Sequence, residues 1–256
     1  QLQALQAAHP DFQTSLVHVL TGNLHGRLGE WDAADAAYTR GLDADLQSPR
    51  PLLGRGEIEY QQGRGDDCAP DSLGNRELEH LDRSLEHFDA VDGLVGQDRP
   101  RVAMIASYGR ARVARCRTFA GVADEEQAAR RSYQQALSIQ AEHPDVGVDV
   151  AAEAHAALAN LDLRAALDAD GATAVALFES SLDHADAAVR AGAASRASVS
   201  RFIQQRAIAA WHLGDGASAC QDVEVAALQA QQGIQDELRL QQLEEIAALD
   251  TLLECG

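Results

Sequence analysis

Gly22-Asn23-Leu24-His25-Gly26-Arg27-Leu28-Gly29-Glu30-Trp31-Asp32-Ala33-Ala34-Asp35-Ala36-Ala37-Tyr38-Thr39-Arg40-Gly41-Leu42 is the stretch that decides the fold. Its middle, Leu28-Gly29-Glu30, breaks a helical pattern that continues on both sides. Glycine can end a helix in a left-handed turn, and an acidic residue suits the positive N-terminus of the next one. In the second half Ala34, Tyr38 and Gly41 follow at intervals of four and three, so all three share one helix face. Small side chains on that face permit close helix approach, and the ring fills the space beside them. The stretch therefore reads as a helix hairpin.

Working outward, the stripe returns. Tyr38, Phe88, Tyr133, Phe178 and Val223 lie 50, 45, 45 and 45 residues apart. Four residues before them stand Ala34, Ser84, Ala129, Ala174 and Ala219; three after stand Gly41, Val91, Ala136, Ser181 and Ala226. Turn signals recur at Ala169-Asp170-Gly171, at Leu213-Gly214-Asp215 and in the loop ending Asp124-Glu125. A fixed period marks a repeat array, because one hairpin cannot bury both its faces and neighbours must stack. The expectation is an all-α fold, a superhelical solenoid of stacked antiparallel helix hairpins with a C-terminal capping helix.

The units are placed at 11–49, 50–98, 99–144, 145–192 and 193–232, within one domain spanning 1–256. An insertion at 63–75, rich in Gly, Asp, Pro and Ser, enlarges the turn of the second unit. Gln6-Ala7-Ala8-His9-Pro10-Asp11 echoes Gln140-Ala141-Glu142-His143-Pro144-Asp145, so residues 1–10 read as a partial repeat and the chain as a fragment. The capping helix is set at 234–254, with Leu238, Leu240, Leu243, Ile246, Leu249 and Leu253 as its apolar positions.

Composition excludes several classes. The 21 basic residues, all arginine, face 40 acidic ones for a formal net charge of -19, which phosphate backbones would repel. No apolar run approaches the ~18 residues of a membrane span, and 46% hydrophobic content is too high for disorder. The expectations are no nucleic acid and no membrane span. Arginine without lysine suggests a GC-rich bacterial genome. Cys68, Cys116, Cys220 and Cys255 form no C-x-x-C pair and are expected as free thiols in a reducing cytoplasm.

The hairpins resemble the tetratricopeptide repeat family in a long-unit variant. The first unit carries the clearest match, in Gly22-x-x-His25, Gly29, Ala34, Tyr38 and Gly41-Leu42. The last follows in Ala207-x-x-Ala210-Trp211, Gly214, Ala219, Val223 and Ala226. Units near 45 residues exceed the family's usual length of about 34, and a HEAT-like solenoid of similar period remains a rival. The resemblance implies a concave groove, lined by the first helix of each hairpin, that binds protein or peptide segments.

Matching the repeats places Asn23 and Arg27 on the inner face of the first unit. Tyr108, Arg112 and Arg115 fall there in the third, and Arg201, Gln204, Trp211 and His212 in the fifth. Ala156, Ala159, Leu163 and Ala166 give the fourth an apolar floor. Asn23 and Arg27 resemble two members of the family's carboxylate clamp, whose other cations are absent. Arginine forks suit carboxylates and aromatic rings supply anchoring area, which implies an acidic or carboxylate-bearing peptide. The competing reading pairs Arg112 and Arg115 with acidic residues on neighbouring helices.

No catalytic motif is present, and no cofactor, metal or enzymatic activity is expected. Glu77, His80, Ser84 and His87 share a face, but the Glu-x-x-His lacks the second copy that a di-iron site needs, and the stripe is expected as a flanking or solvated surface. The expected role is a protein-interaction scaffold. Its rival is a ligand- or peptide-sensing regulatory module of a larger signalling or transcription-regulating protein. A homodimer through an uncovered stripe of the last helix is a further expectation.

Overall fold

The computed structural model describes residues 14–65, 68–69, 72–95, 99–195, 199–231 and 236–255. The partial repeat at 1–10 lies outside them. Among the described residues there are eleven helices and no strand. Contacts divide the chain into two compact units, Gln1–Ile139 and Gln140–Gly256. The first holds α1 (Thr14–Arg27), α2 (Trp31–Ala44), α3 (Arg50–Gly63), α4 (Asn75–Asp92), α5 (Pro100–Phe119) and most of α6 (Glu125–Glu142). The second holds α7 (Val148–Leu167), α8 (Gly171–Ser195), α9 (Ser200–His212), α10 (Gly216–Gln231) and α11 (Asp236–Leu252).

The hairpin turns follow from glycine. Gly29, Gly121 and Gly214 have φ of +73°, +78° and +86°, a region that costs other residues. Behind each, the next N–H reaches back five residues: Glu30 to His25 at 3.0 Å, Val122 to Arg117 at 3.0 Å and Asp215 to Ala210 at 3.0 Å. This is the Schellman closure, which satisfies carbonyls that a helix end leaves open. Asp215 then caps α10, its Oδ1 accepting the Ser218 N–H at 3.1 Å. Glu30 does not cap α2; its carboxylate turns back to His25 Nδ1 at 2.5 Å. At Ala169-Asp170-Gly171 the glycine opens α8 rather than closing α7. Pro100 opens α5, where its missing N–H costs nothing.

The small–large–small stripes form the packing seam. Tyr38 is 2% exposed, and its ring lies between Gly22 of α1 and Gly54 of α3, where added Cβ atoms would sit 2.5 and 2.3 Å from it. Phe88 repeats this one hairpin later, between Gly56 of α3 and Gly109 of α5, with distances of 2.8 and 2.5 Å. Each ring thus joins its own hairpin's first helix to the next hairpin's first helix. Within the first unit α1 packs on α3 and α3 on α5, besides the pairing of consecutive helices from α1 to α5. α6 meets α5 through Tyr108 and Tyr133, ring centroids 5.9 Å apart.

The second unit follows the same plan. α7 pairs with α8, α9 with α10, and α9 packs on α7 and α11. α11 covers the last hairpin, burying Ile246 and Leu249, with Leu253 just past its end, against Phe202, Val223 and Ala226. Of the stripe expected to carry a homodimer, Ile246, Leu249 and Leu253 are thus turned inward, while Leu240 stays exposed. Ala156, Ala159, Leu163 and Ala166, expected as an apolar groove floor, are instead buried core.

The cysteine expectation is overturned: all four are paired, as Cys68–Cys116 and Cys220–Cys255. The reason is the repeat itself. Cys68 and Cys116 are 48 residues apart, about one unit, so stacking brings them side by side although nothing local in the sequence does. With that, the cysteine argument for a cytoplasmic location falls. Among the described residues no helix is long and apolar enough to cross a membrane.

Candidate binding groove

The first helices of three hairpins, α1, α3 and α5, line a cavity of about 710 Å³ within the first unit. Across its middle runs a row of equivalent positions. Gly22 precedes Asn23, Gly56 precedes Glu57 and Ala111 precedes Arg112, and the two glycines leave the ring of their own hairpin's second helix room to approach. Asn23, Glu57 and Arg112 all face the cavity, with Arg27 and Gln61 a turn further along. Trp31 and Tyr108 add aromatic surface, and Arg50 adds a third guanidinium.

Asn23 is held by Tyr38, whose hydroxyl donates to Asn23 Oδ1 at 2.7 Å. Burial and then the nearby Glu57 charge push the Tyr38 hydroxyl up to about 12, so it remains a donor. Glu57 accepts a forked pair from Arg112, Nη1 to Oε2 at 2.8 Å and Nη2 to Oε1 at 3.2 Å, and a third bond from Gln61 Nε2 at 2.6 Å. The Arg112 guanidinium lies 3.8 Å above the centre of the Tyr60 ring, a cation–π arrangement. Burial alone would loosen its proton, but Glu57, Tyr60 and Tyr108 outweigh it and the arginine stays charged.

Arg115 sits behind the cavity wall. Its guanidinium lies near the Tyr60, Tyr108 and Tyr133 side chains and 5.8 Å from the centre of the Phe119 ring, while its buried Nε has no partner among the described residues. Among the described residues no carboxylate pairs with Arg115, Arg27 or Arg50, and the latter two are exposed. Among the described residues three guanidinium groups thus line the cavity around one carboxylate, with a fourth behind them, in a chain of net charge -19. Such an inversion of local sign favours anions.

Of the residues singled out from sequence, Asn23, Arg27, Tyr108 and Arg112 share this cavity. The pairing alternative holds for Arg112, which Glu57 engages, and not for Arg115. The other four lie in the second unit. Arg201 is ion-paired with Glu153 and lies 5.0 Å over the Phe202 ring. Gln204 Nε2 is buried without a partner. His212 stacks on Phe178 at 4.4 Å, burial lowering its pKa, and Trp211, 39% exposed, meets it edge-on at 5.0 Å.

Sequence reading missed Glu57, Gln61 and Arg50, because the insertion after Gly63 shifts the second unit against its downstream aromatic. The signal that finds them is Gly54-x-Gly56, two glycines serving the preceding and following rings. The Glu77-His80-Ser84-His87 face flanks the packing seam, with Glu77, His80 and His87 half-buried. Ser84 is buried and donates to the Gly56 carbonyl at 2.7 Å, and His80 Nδ1 lies 2.7 Å from Glu59 Oε2. Among the described residues no three His, Cys, Asp or Glu side chains gather as a metal site would need.

No protein-family model matches the chain, and no curated protein matches it. Solved structures do match, 16 chains in all. One is a crystal structure of MamA protein, 17% identical, aligned over 86% of this chain and 93% of its own with a TM-score of 0.47.

Proposed function

We propose that the chain is a non-catalytic protein-interaction module of the tetratricopeptide-like kind, whose first-unit groove receives an extended or helical peptide segment bearing carboxylates. The observation that carries this reading is the excess of guanidinium over carboxylate in the cavity. Among the described residues no carboxylate engages Arg27 or Arg50 there, while Asn23 and Arg112 are held in place by Tyr38 and Glu57. Preorganised groups of this kind lose little freedom on binding, and a fork–carboxylate contact is directional as well as strong. Trp31 and Tyr108 supply the buried aromatic area on which interface energy concentrates.

A fluorescein-labelled hexaglutamate peptide, followed by anisotropy beside hexalysine and hexaserine, tests the reading. The acidic peptide should bind alone and saturably, and more weakly as salt screens the contact. Equal binding of all three peptides, or of none, would count against it.

A second reading rests on the cavity's size, which lies within the ~300–1,000 Å³ range of small-molecule sites. On it the groove senses a small anion for a larger regulatory protein. Competition separates the two: a free dicarboxylate would displace the peptide at micromolar concentration under the sensing reading, and only at far higher concentration under the scaffold reading.

A further inference from the structure

Beneath the groove lies a covalent bond that the binding reading does not use. Cys68 belongs to the inserted loop and Cys116 to α5, one helical turn beyond Arg112; their sulfurs are joined, and the residues are 1% and 0% exposed. The hydroxyl of Tyr60 lies 3.8 Å from Cys68 Sγ and 3.6 Å from Cys116 Sγ. The same ring supports the Arg112 guanidinium at 3.8 Å, and Arg112 in turn holds Glu57 in the cavity. A continuous line of contacts therefore runs from the disulfide through Tyr60 and Arg112 to the groove.

We propose that the Cys68–Cys116 bond regulates the groove: the disulfide form binds, and reduction weakens binding by shifting Tyr60 beneath Arg112. This rests on the groove being the binding site. In the reduction the Sγ–Sγ bond breaks and each sulfur gains an electron and a proton from a dithiol, which closes to its own disulfide. Two thiol sulfurs must then separate from bonding distance to van der Waals contact. They do so inside a packed cluster with Tyr60, Leu81, Phe88 and Val113. Close-packed interiors transmit such displacements rather than absorb them, and Tyr60, 2% exposed, is the neighbour that touches both sulfurs. Linkage makes the effect reciprocal, so bound peptide protects the disulfide by the factor that the disulfide adds to affinity.

The test uses the full chain with Cys220→Ala and Cys255→Ala, leaving one disulfide, and the labelled hexaglutamate as probe. Anisotropy is measured for the oxidised chain, for the chain reduced with dithiothreitol and verified by thiol counting, and for a Cys116→Ser variant as a permanently open counterpart. The reduced chain and the variant should bind about tenfold more weakly, within the usual range of coupling between sites. Saturating peptide should then lower the disulfide's midpoint potential by about 30 mV, the two-electron equivalent of that factor. Tyr60→Phe, which keeps the ring and removes the hydroxyl, should shrink the difference between oxidised and reduced forms. Affinities equal within error in the oxidised and open forms would overturn the proposal. If the oxidised chain does not bind the probe, the groove reading fails instead. Trp31 emission in a Trp211→Phe background then decides the coupling: a change on reduction sustains it, and an unchanged spectrum overturns it.

Discussion

Gly54 carries more of the architecture than its size suggests, because its missing Cβ is the space that the Tyr38 ring occupies. A Gly54→Ala chain should lose about 1–3 kcal/mol to overpacking, read as a lower urea midpoint at unchanged slope. Gly216→Ala, where nothing lies within 4 Å of an added Cβ, should leave the midpoint nearly unchanged. Glu57 makes the opposite kind of case. It occupies the Arg112 fork that an incoming carboxylate would use, so Glu57→Gln should strengthen hexaglutamate binding severalfold. The same change should cost the fold about 1 kcal/mol or less, since the Glu57 side chain is 43% exposed and the pair is partly solvent-screened. Weaker acidic-peptide binding by Glu57→Gln would show that the carboxylate belongs to the ligand's contacts rather than competing with them.

At the scale of elements, the α7–α8 pair carries a pH dependence. His155 and His184 face each other with Nδ1 atoms 3.1 Å apart, a contact that two protonated rings cannot keep. Burial first, then the His184 and Arg190 charges, lower the His155 pKa to about 4. The folded state thus favours neutral imidazole. This contribution to stability is complete above the ordinary histidine value of about 6.5 and is lost as pH falls from there towards 4. Thermal melts across that window should show a falling midpoint, and His155→Gln should flatten the trend. The last helix has a separate fastening: Cys220–Cys255 closes a separation of 35 residues and pins the end of α11 to α10. Its reduction should destabilise the second unit by about 2–4 kcal/mol, seen as a lower melting midpoint in dithiothreitol that Cys220→Ala reproduces.

These elements also show what the sequence could and could not disclose. Hairpins were legible because their determinants are local: a left-handed glycine at 29 and 214, and stripes of fixed spacing around Tyr38 and Tyr133. That Arg27 and Arg112 line one cavity was legible because repeat periodicity carries a position from one hairpin to the next. Glu57 was not, since the insertion after Gly63 breaks that periodicity where the carboxylate sits. Nor was the partnering of Cys68 with Cys116, which depends on how neighbouring hairpins stack rather than on any local motif. The burial of Ala156 and Ala159 was hidden for a related reason, as an alanine-rich face fits a groove floor and a tight helix contact equally well.

At the scale of the whole molecule, the arginine-lined groove of the first unit belongs to a chain of net charge -19. On the proposed function the general field would repel an acidic partner at a distance and the groove would reward it at contact, so binding should be local and orientation-dependent. Placement is therefore the central claim, more than affinity. The most direct measurement is photo-crosslinking of a hexaglutamate peptide that carries a benzophenone, with the sites mapped by mass spectrometry on the full chain. The account predicts crosslinks concentrated on α1, α3 and α5 around Asn23, Gln61 and Tyr108, and their loss when Arg27→Ala and Arg50→Ala are combined. Crosslinks concentrated in the second unit, or spread over the surface and indifferent to those substitutions, would contradict it.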